Sequence, residues 1–268
     1  MRRMVGILAL ALTGCPSQVP TPAPTATATP TPSPSASATA VAHSNGARKV
    51  SEETDDYLFE YAYPKEAGQV PALATLLDGR LDKDRAELAM EAAEARKDAR
   101  GAGFPYNKYS LATAWKVVSD LPGWLSLSAD VESYNGGAHG NHGFASLVWD
   151  KQGGRALEGI ALFQSPAALD KALGDRLCAA LNRERAKRRG EPVKPGSTDE
   201  FDKCVSVKDA TVLVGSRSRR KFDRITVQFP PYAAGPYSDG AYTIDLNVDR
   251  AVLGAVKPQF KDAFAARN

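Results

Sequence analysis

One stretch constrains this chain more than any other: Tyr134-Asn135-Gly136-Gly137-Ala138-His139-Gly140-Asn141. Alternating residues lead into it from Trp124 through Leu125, Leu127, Ala129, Val131 and Ser133, and a second run follows at Phe144, Ala145, Leu147, Val148 and Trp149. Alternation, a glycine-rich break and renewed alternation read as two strands joined by a turn. The glycines suit a tight reversal, because positive φ is costly for residues other than Gly and Asn. The aromatic and imidazole groups at the turn can face a ligand or simply pin the reversal. Both roles are open from the sequence.

The remainder of the chain reads as an α+β fold: antiparallel sheets, each packed with a long helix, in two small modules. Leu58, Phe59, Tyr61 and Tyr63 suggest an opening strand. Residues 70–100 read as a helix with an apolar face at Leu73, Leu77, Leu81 and Leu88, with Asp78-Gly79 as a point of bending or breakage. Residues 109–119 form a further strand, which completes an antiparallel meander with the strands around the turn. In the second half Ser165-Pro166 supplies an N-cap and first helical residue, and the helix is expected to run to Arg189. Val205 and Val207 suggest a strand start. Residues 210–215 and 224–229 suggest a hairpin, Tyr242 to Val248 a last strand, and residues 258–264 a closing short helix.

The amino terminus has a different character. Met1-Arg2-Arg3-Met4 is basic, residues 5–12 are apolar but too short to span a bilayer, and Leu12-Thr13-Gly14-Cys15 follows. This pattern describes an export signal, and its ending resembles a bacterial lipobox with Cys15 as the acylated residue. Residues 1–14 are therefore expected to be a signal peptide. The mature protein is expected to be a membrane-anchored lipoprotein facing the periplasm. Pro16 in place of Asp after the cysteine points to the outer membrane. Loss of Arg2 and Arg3 lowers the formal charge from +3 to +1, which leaves no strong overall field to steer a charged partner. Residues 15–47 read as the lipidated cysteine and a disordered linker of Pro, Thr, Ser and Ala, with a reach of roughly 30–90 Å. Folded modules are expected at 48–152 and 153–268. With Cys15 acylated, Cys178 and Cys204 form an even pair in an oxidising compartment, and a disulfide is expected between them.

The turn closely resembles the hallmark of the RsiV/PdaC-type extracytoplasmic domain pair. A second stretch, Phe229-Pro230-Pro231-Tyr232-Ala233-Ala234-Gly235-Pro236-Tyr237-Ser238-Asp239-Gly240, resembles the Pro-Tyr and Gly-Pro-Tyr turn of the C-terminal module of that pair. The resemblance implies a PdaC-like first half and an RsiV-like second half. It also implies a ligand such as peptidoglycan fragments or a lysozyme-like protein, because sensing members of the family bind lysozyme. The ligand-binding candidates are Tyr134, Asn135, Gly136, Gly137, His139, Asn141, Tyr232 and Tyr237. Tyrosine faces can stack on sugars and tyrosine hydroxyls can direct hydrogen bonds, although the same residues can also merely pack the turn.

Catalytic signatures are missing. His139-Gly-Asn-His142 offers two imidazoles, whereas zinc sites use three or four protein ligands, and no third stands near in sequence. The paired aspartates and His-x3-His motif of a polysaccharide deacetylase have no fitting context here, and nucleophile-elbow and phosphate-loop motifs are also lacking. The expectation is a non-enzymatic binding module without metal or cofactor. An envelope hydrolase or deacetylase using His139, or a purely structural lipoprotein, is the alternative. Two basic clusters stand out: Arg183, Arg185, Lys187, Arg188 and Arg189 at a helix end, and Arg217, Arg219, Arg220 and Lys221 in the hairpin turn. The first complements the helix dipole and the second reads as a solvated run, unless the two meet to hold anionic envelope polymers. Nucleic acid is a poor partner for an exported chain.

Overall fold

The computed structural model describes residues 38–44 and 46–267, with side chains from residue 46 onward. Cys15 and residues 1–37 lie outside the described residues. Seven strands form the first sheet in chain order: β1 (Ala38–Ser44), β2 (Ala47–Glu53), β3 (Tyr57–Tyr63), β4 (Tyr109–Asp120), β5 (Trp124–Tyr134), β6 (Asn141–Asp150) and β7 (Arg155–Leu157). A second sheet holds β8 (Thr211–Gly215), β9 (Arg224–Phe229) and β10 (Tyr242–Asn247), with β9 in the centre. The mixed α and β architecture is as expected, and two corrections concern strands. Residues 38–44, assigned by composition to the linker, pair antiparallel with β2, because Thr and Val there interrupt the proline run and leave the backbone free for a ladder. The first sheet is not wholly antiparallel: β3 and β4 run parallel. A helix of many turns lies between these two strands, and such a crossover returns the chain in the same direction.

That crossover begins with the single turn α1 (Lys65–Gly68) and continues as α2 (Pro71–Ala102). Pro71 occupies the first helical position and Gly103 closes the helix at φ 73°, a conformation glycine adopts without strain. Leu73, Leu77, Leu81, Leu88 and Ala92 are buried on one face against Phe59, Tyr61, Trp115, Leu127 and Trp149. The helix is unbroken at Asp78-Gly79. Asp78 is held there by Arg48 at 2.8 Å and by the Tyr63 hydroxyl at 3.0 Å, so the sheet stabilises the helix at its weakest point.

Strands β5 and β6 serve two cores. Successive side chains of a strand point to opposite faces, and Leu147 and Trp149 join the α2 core while Val148 joins the second core. That second core gathers around β8–β10, α3 (Pro166–Leu173), α4 (Asp175–Arg189) and α5 (Arg250–Ala255). Trp124 stacks edge-on against Phe260, and the Thr211 hydroxyl donates to the Phe144 carbonyl at 3.1 Å, so the halves are packed together rather than strung apart. Ser165 caps α3 by accepting from the Ala168 amide at 3.0 Å. The single long helix expected from Pro166 to Arg189 is two helices, because Gly174 takes φ 53° and ψ −144°. The apolar stripe survives the break: Leu169, Leu173, Leu177 and Leu181 are all buried. Residues 205–207 do not begin a strand. Asp170 captures the Val207 amide at 2.8 Å and the Ser206 hydroxyl at 2.5 Å, which diverts that backbone from a ladder into a short 3-10 turn.

Cys178 of α4 is joined to Cys204, with Cα atoms 5.2 Å apart. The bridge closes a loop with a sequence separation of 26 and ties α4 to the segment that precedes β8. Replacing both cysteines by serine should lower the unfolding free energy by about 3 kcal/mol on the chain-entropy account. Urea denaturation of the two forms side by side measures this; an unchanged midpoint would show that the segment is held by other contacts alone.

Candidate functional site

The two glycine-rich turns, far apart in sequence, dock on each other. The His139 ring stacks on Tyr237 with centroids 3.9 Å apart and planes 25° apart, and Tyr232 lies 6.3 Å from His139 and 5.6 Å from Tyr237. His139 Nδ1 lies 2.9 Å from the Gly140 carbonyl, and Nε2 lies 3.3 Å from the Tyr232 hydroxyl. One neutral tautomer satisfies both contacts: Nδ1–H donates to the carbonyl while Nε2 accepts from the tyrosine. The Tyr237 hydroxyl donates to the same Gly140 carbonyl at 2.9 Å. Of the eight candidates, the structure thus gathers His139, Tyr232 and Tyr237 into a surface cluster of three rings.

The other five are elsewhere. Tyr134 sits in β5 opposite Ser110, without a ring contact or hydrogen bond to His139. Asn135 and Gly136 face the α2 side, where they line a cleft of about 170 Å³ with Tyr106, Asn107 and Tyr109. Gly136 has φ 77°, its carbonyl accepts from Asn107 Nδ2 at 3.2 Å, and a Cβ there would meet the Tyr109 ring at 3.3 Å. Gly137 has open space around it. Asn141 opens β6 opposite Ser133 and is exposed. His142 is not a partner of His139: its Nε2 lies 3.7 Å from Asp130, and its ring meets Phe144 edge-on. Among the described residues no group of three His, Cys, Asp or Glu side chains is arranged to hold a metal.

Beneath the rings lies a clamp. Arg185 of α4 is 0% exposed, and its guanidinium donates to the carbonyls of Ala234 at 2.9 Å, Asp202 at 3.2 Å and Lys203 at 3.0 Å, and to Asn182 Oδ1 at 2.8 Å. Burial, chiefly, and the neighbouring Arg189 push its pKa down, yet a guanidinium remains charged. One turn further along the helix, Arg189 bridges Asp202 at 2.7 Å and Asp239 at 2.8 Å. Arg188 donates to the Asp239 carbonyl at 2.5 Å and lies over the Tyr242 ring at 4.1 Å. The Tyr242 hydroxyl completes the set, donating to Asp239 Oδ2 at 2.6 Å. Gly235 makes this closure possible, because a Cβ at that position would fall 2.5 Å from Asp239 Oδ2. The helix-end arginines, expected to serve mainly the helix dipole, instead grip the loop that carries Tyr232 and Tyr237.

The loop is strained at one residue. Tyr232 has φ 70° and is 55% exposed, whereas Tyr237 is 37% exposed. A bulky side chain in the left-handed region costs roughly 1–2 kcal/mol. The clamp holds this conformation and keeps a large ring at the surface. The platform offers ring faces, hydroxyls and an imidazole. Among the described residues the hydrogen-bond partners of His139 are a tyrosine and a backbone carbonyl.

A family model described as deacetylase PdaC matches residues 50–142, which include the first turn with His139 but none of the second. A crystal structure of a DUF3298 family protein from Pseudomonas aeruginosa PAO1 is similar over 84% of this chain and 99% of its own, at 15% identity and a TM-score of 0.49. A DUF3298 family member from Bacteroides fragilis NCTC 9343 is similar over 83% of this chain and 95% of its own, at 15% identity and a TM-score of 0.41. No curated protein matches the chain.

The clamp makes the site sensitive to acid. Burial alone would raise the Asp239 carboxyl, but the Tyr242 hydroxyl and the Arg189 guanidinium outweigh it and hold it below the usual carboxylate range. Asp202 is likewise lowered, first by the Ser197 hydroxyl and then by Arg189 against the effect of burial. A carboxylate lowered in the folded state contributes stability that is complete above its unfolded pKa, near 4, and lost as pH falls through the folded value. Melting temperature followed between about pH 2 and pH 6 should therefore fall steeply at the acid end. Asp239→Asn should lower the neutral-pH plateau and flatten that fall; a variant profile parallel to the parent at every pH would exclude Asp239 as a source of the dependence.

Proposed function

We propose that this protein is a non-enzymatic binding module of the bacterial cell envelope, and that the His139–Tyr232–Tyr237 platform stacks on sugar rings of wall glycan. The observation that carries the reading is the strained, exposed Tyr232. A fold that holds a bulky aromatic residue at positive φ on its surface, through a buried arginine and two ion pairs, forgoes stability at that point. Aromatic faces flanked by hydroxyl and imidazole groups suit sugars, whose C–H faces stack while their hydroxyls take directional hydrogen bonds. The PdaC match supports an envelope setting for the first half. Likeness of the second half to the RsiV C-terminal module, with a lysozyme-like protein as partner, is the competing form of the reading. A near-neutral mature surface gives no reason to prefer a strongly basic partner. The match also carries a deacetylase description, so acetate release from acetylated glycan is the measurement that would replace binding by catalysis.

Membrane attachment through Cys15 belongs to the same proposal. It rests on the lipobox-like Leu12-Thr13-Gly14-Cys15 and on the proline-rich run behind it, which would hold the folded part away from the bilayer. Cys15→Ala should shift the protein from the membrane to the soluble fraction and remove the acyl mass from the intact protein. Membrane retention with an unmodified mass would sink the anchor.

The platform is tested by pairing stability with glycan retention. Tyr232→Gly removes the strain and the ring together, so its melting temperature should stay level or rise. Its co-sedimentation with purified insoluble peptidoglycan should weaken roughly tenfold, the loss of one good aromatic contact. His139→Ala should weaken retention similarly. Retention at the parental level in both variants would refute the platform, and capture of lysozyme without glycan would favour the competing partner.

A further inference from the structure

The two arginine-rich clusters of the chain have different fates. At the end of α4, Arg185, Arg188 and Arg189 all donate to carbonyls or carboxylates within the fold, and Lys187 pairs with Glu184. In the β8–β9 turn, Arg217, Arg219, Arg220 and Lys221 are exposed, and among the described residues none of them takes part in an ion pair. Arg267 joins them from the tail and is likewise without an ion pair among the described residues. In a chain whose 34 basic and 31 acidic residues nearly balance, unpaired cations gathered at one hairpin create a strong local field.

The fold holds this region in shape. The buried Asp223 carboxylate accepts the Arg217 amide at 2.7 Å and the Ser218 amide at 3.0 Å, and Arg219 takes φ 59° to close the turn. The tail is fastened alongside: the Phe222 amide donates to the Ala263 carbonyl at 2.8 Å, and the Ala265 amide to the Phe222 carbonyl at 3.0 Å. Between turn and tail is a cavity of about 540 Å³ lined by Arg220, Lys221, Arg267, Asp223, Ala265 and Ala266, with Ser218 at its side. Asp223 is the one acid in this lining, and both of its oxygens are engaged by backbone amides. Three cations thus face the cavity against one carboxylate, which the turn amides hold and whose charge Arg267 partly offsets.

We propose that this cavity binds a phosphate monoester. Arginine forks and a lysine ammonium match phosphate oxygens, and the volume leaves room for a small organic group against Ala265 and Ala266. The ester can be free or can be the headgroup of a lipid. The cavity is built from elements other than the aromatic platform, so the proposal stands apart from glycan binding. Calorimetric titration of the full chain with glycerol 3-phosphate should show one-to-one binding. Arg220→Gln and Lys221→Gln should each weaken it about tenfold, the loss of one charge-assisted contact, with unchanged melting temperature. Lys97→Gln, on the exposed side of α2, should leave it unaltered. Flotation with phosphatidic acid vesicles identifies the source: binding there and not to the free ester, with the same tenfold losses, places the phosphate on a lipid. Failure to bind in both arms, or equal losses in Lys97→Gln, would overturn the pocket.

Discussion

A single buried guanidinium organises the second half of this protein. Arg185 has no exposed surface, and its donors reach carbonyls on both sides of the β8–β9 hairpin, at residues 202, 203 and 234. A buried charge is tolerable only when its hydrogen bonds are made, and a buried partner left without its donor costs about 1–3 kcal/mol. Arg185 therefore fixes two stretches of backbone, one at 202–203 and one at 234, that no sheet ladder would fix. Cys204 follows immediately after two of those carbonyls, so the disulfide and the guanidinium constrain the same short segment. Arg189 extends the constraint to Asp202 and Asp239, and through them to the tyrosine loop.

The consequence for the surface is indirect but specific. Tyr232 and Tyr237 leave the loop held by these arginines, and His139 arrives from the opposite turn, itself braced by Gly136 against Asn107 and Tyr109. Neither turn makes the platform alone. Rigid support from two cores is what allows an exposed ring to be held at a backbone angle it does not favour.

Much of the fold was legible in the sequence. The leucine stripes of α2, α3 and α4, the cap at Ser165, the hairpin of β8 and β9, and the pairing of Cys178 with Cys204 all follow from local rules of period, capping and redox setting. The parallel pairing of β3 with β4 was not, because alternation gives the strands and not their direction. The break at Gly174 was hidden by a stripe that continues unbroken across it. The clamp did leave a trace: Leu173, Leu177 and Leu181 step by four, and the next two steps are Arg185 and Arg189. A charged residue that continues a buried stripe is a sign of an internal guanidinium, whereas the clustering of arginines around it reads as an ordinary helix end. Of the candidate site, sequence identified His139, Tyr232 and Tyr237 as separate turn residues. Their contact depends on how two cores pack, and no local pattern encodes that.

The separation of those residues along the chain also sets the order in which the protein can mature. The hydrogen bonds that join the two turns link positions 93 and 97 residues apart, whereas the hairpins that carry them, β5 with β6 and β9 with β10, close over much shorter loops. Contacts of such long range close late, after the entropy of the intervening chain has been lost to both cores. The ring cluster therefore comes into being only when the whole fold is complete. A chain with one half folded and the other not has no ring cluster at its surface.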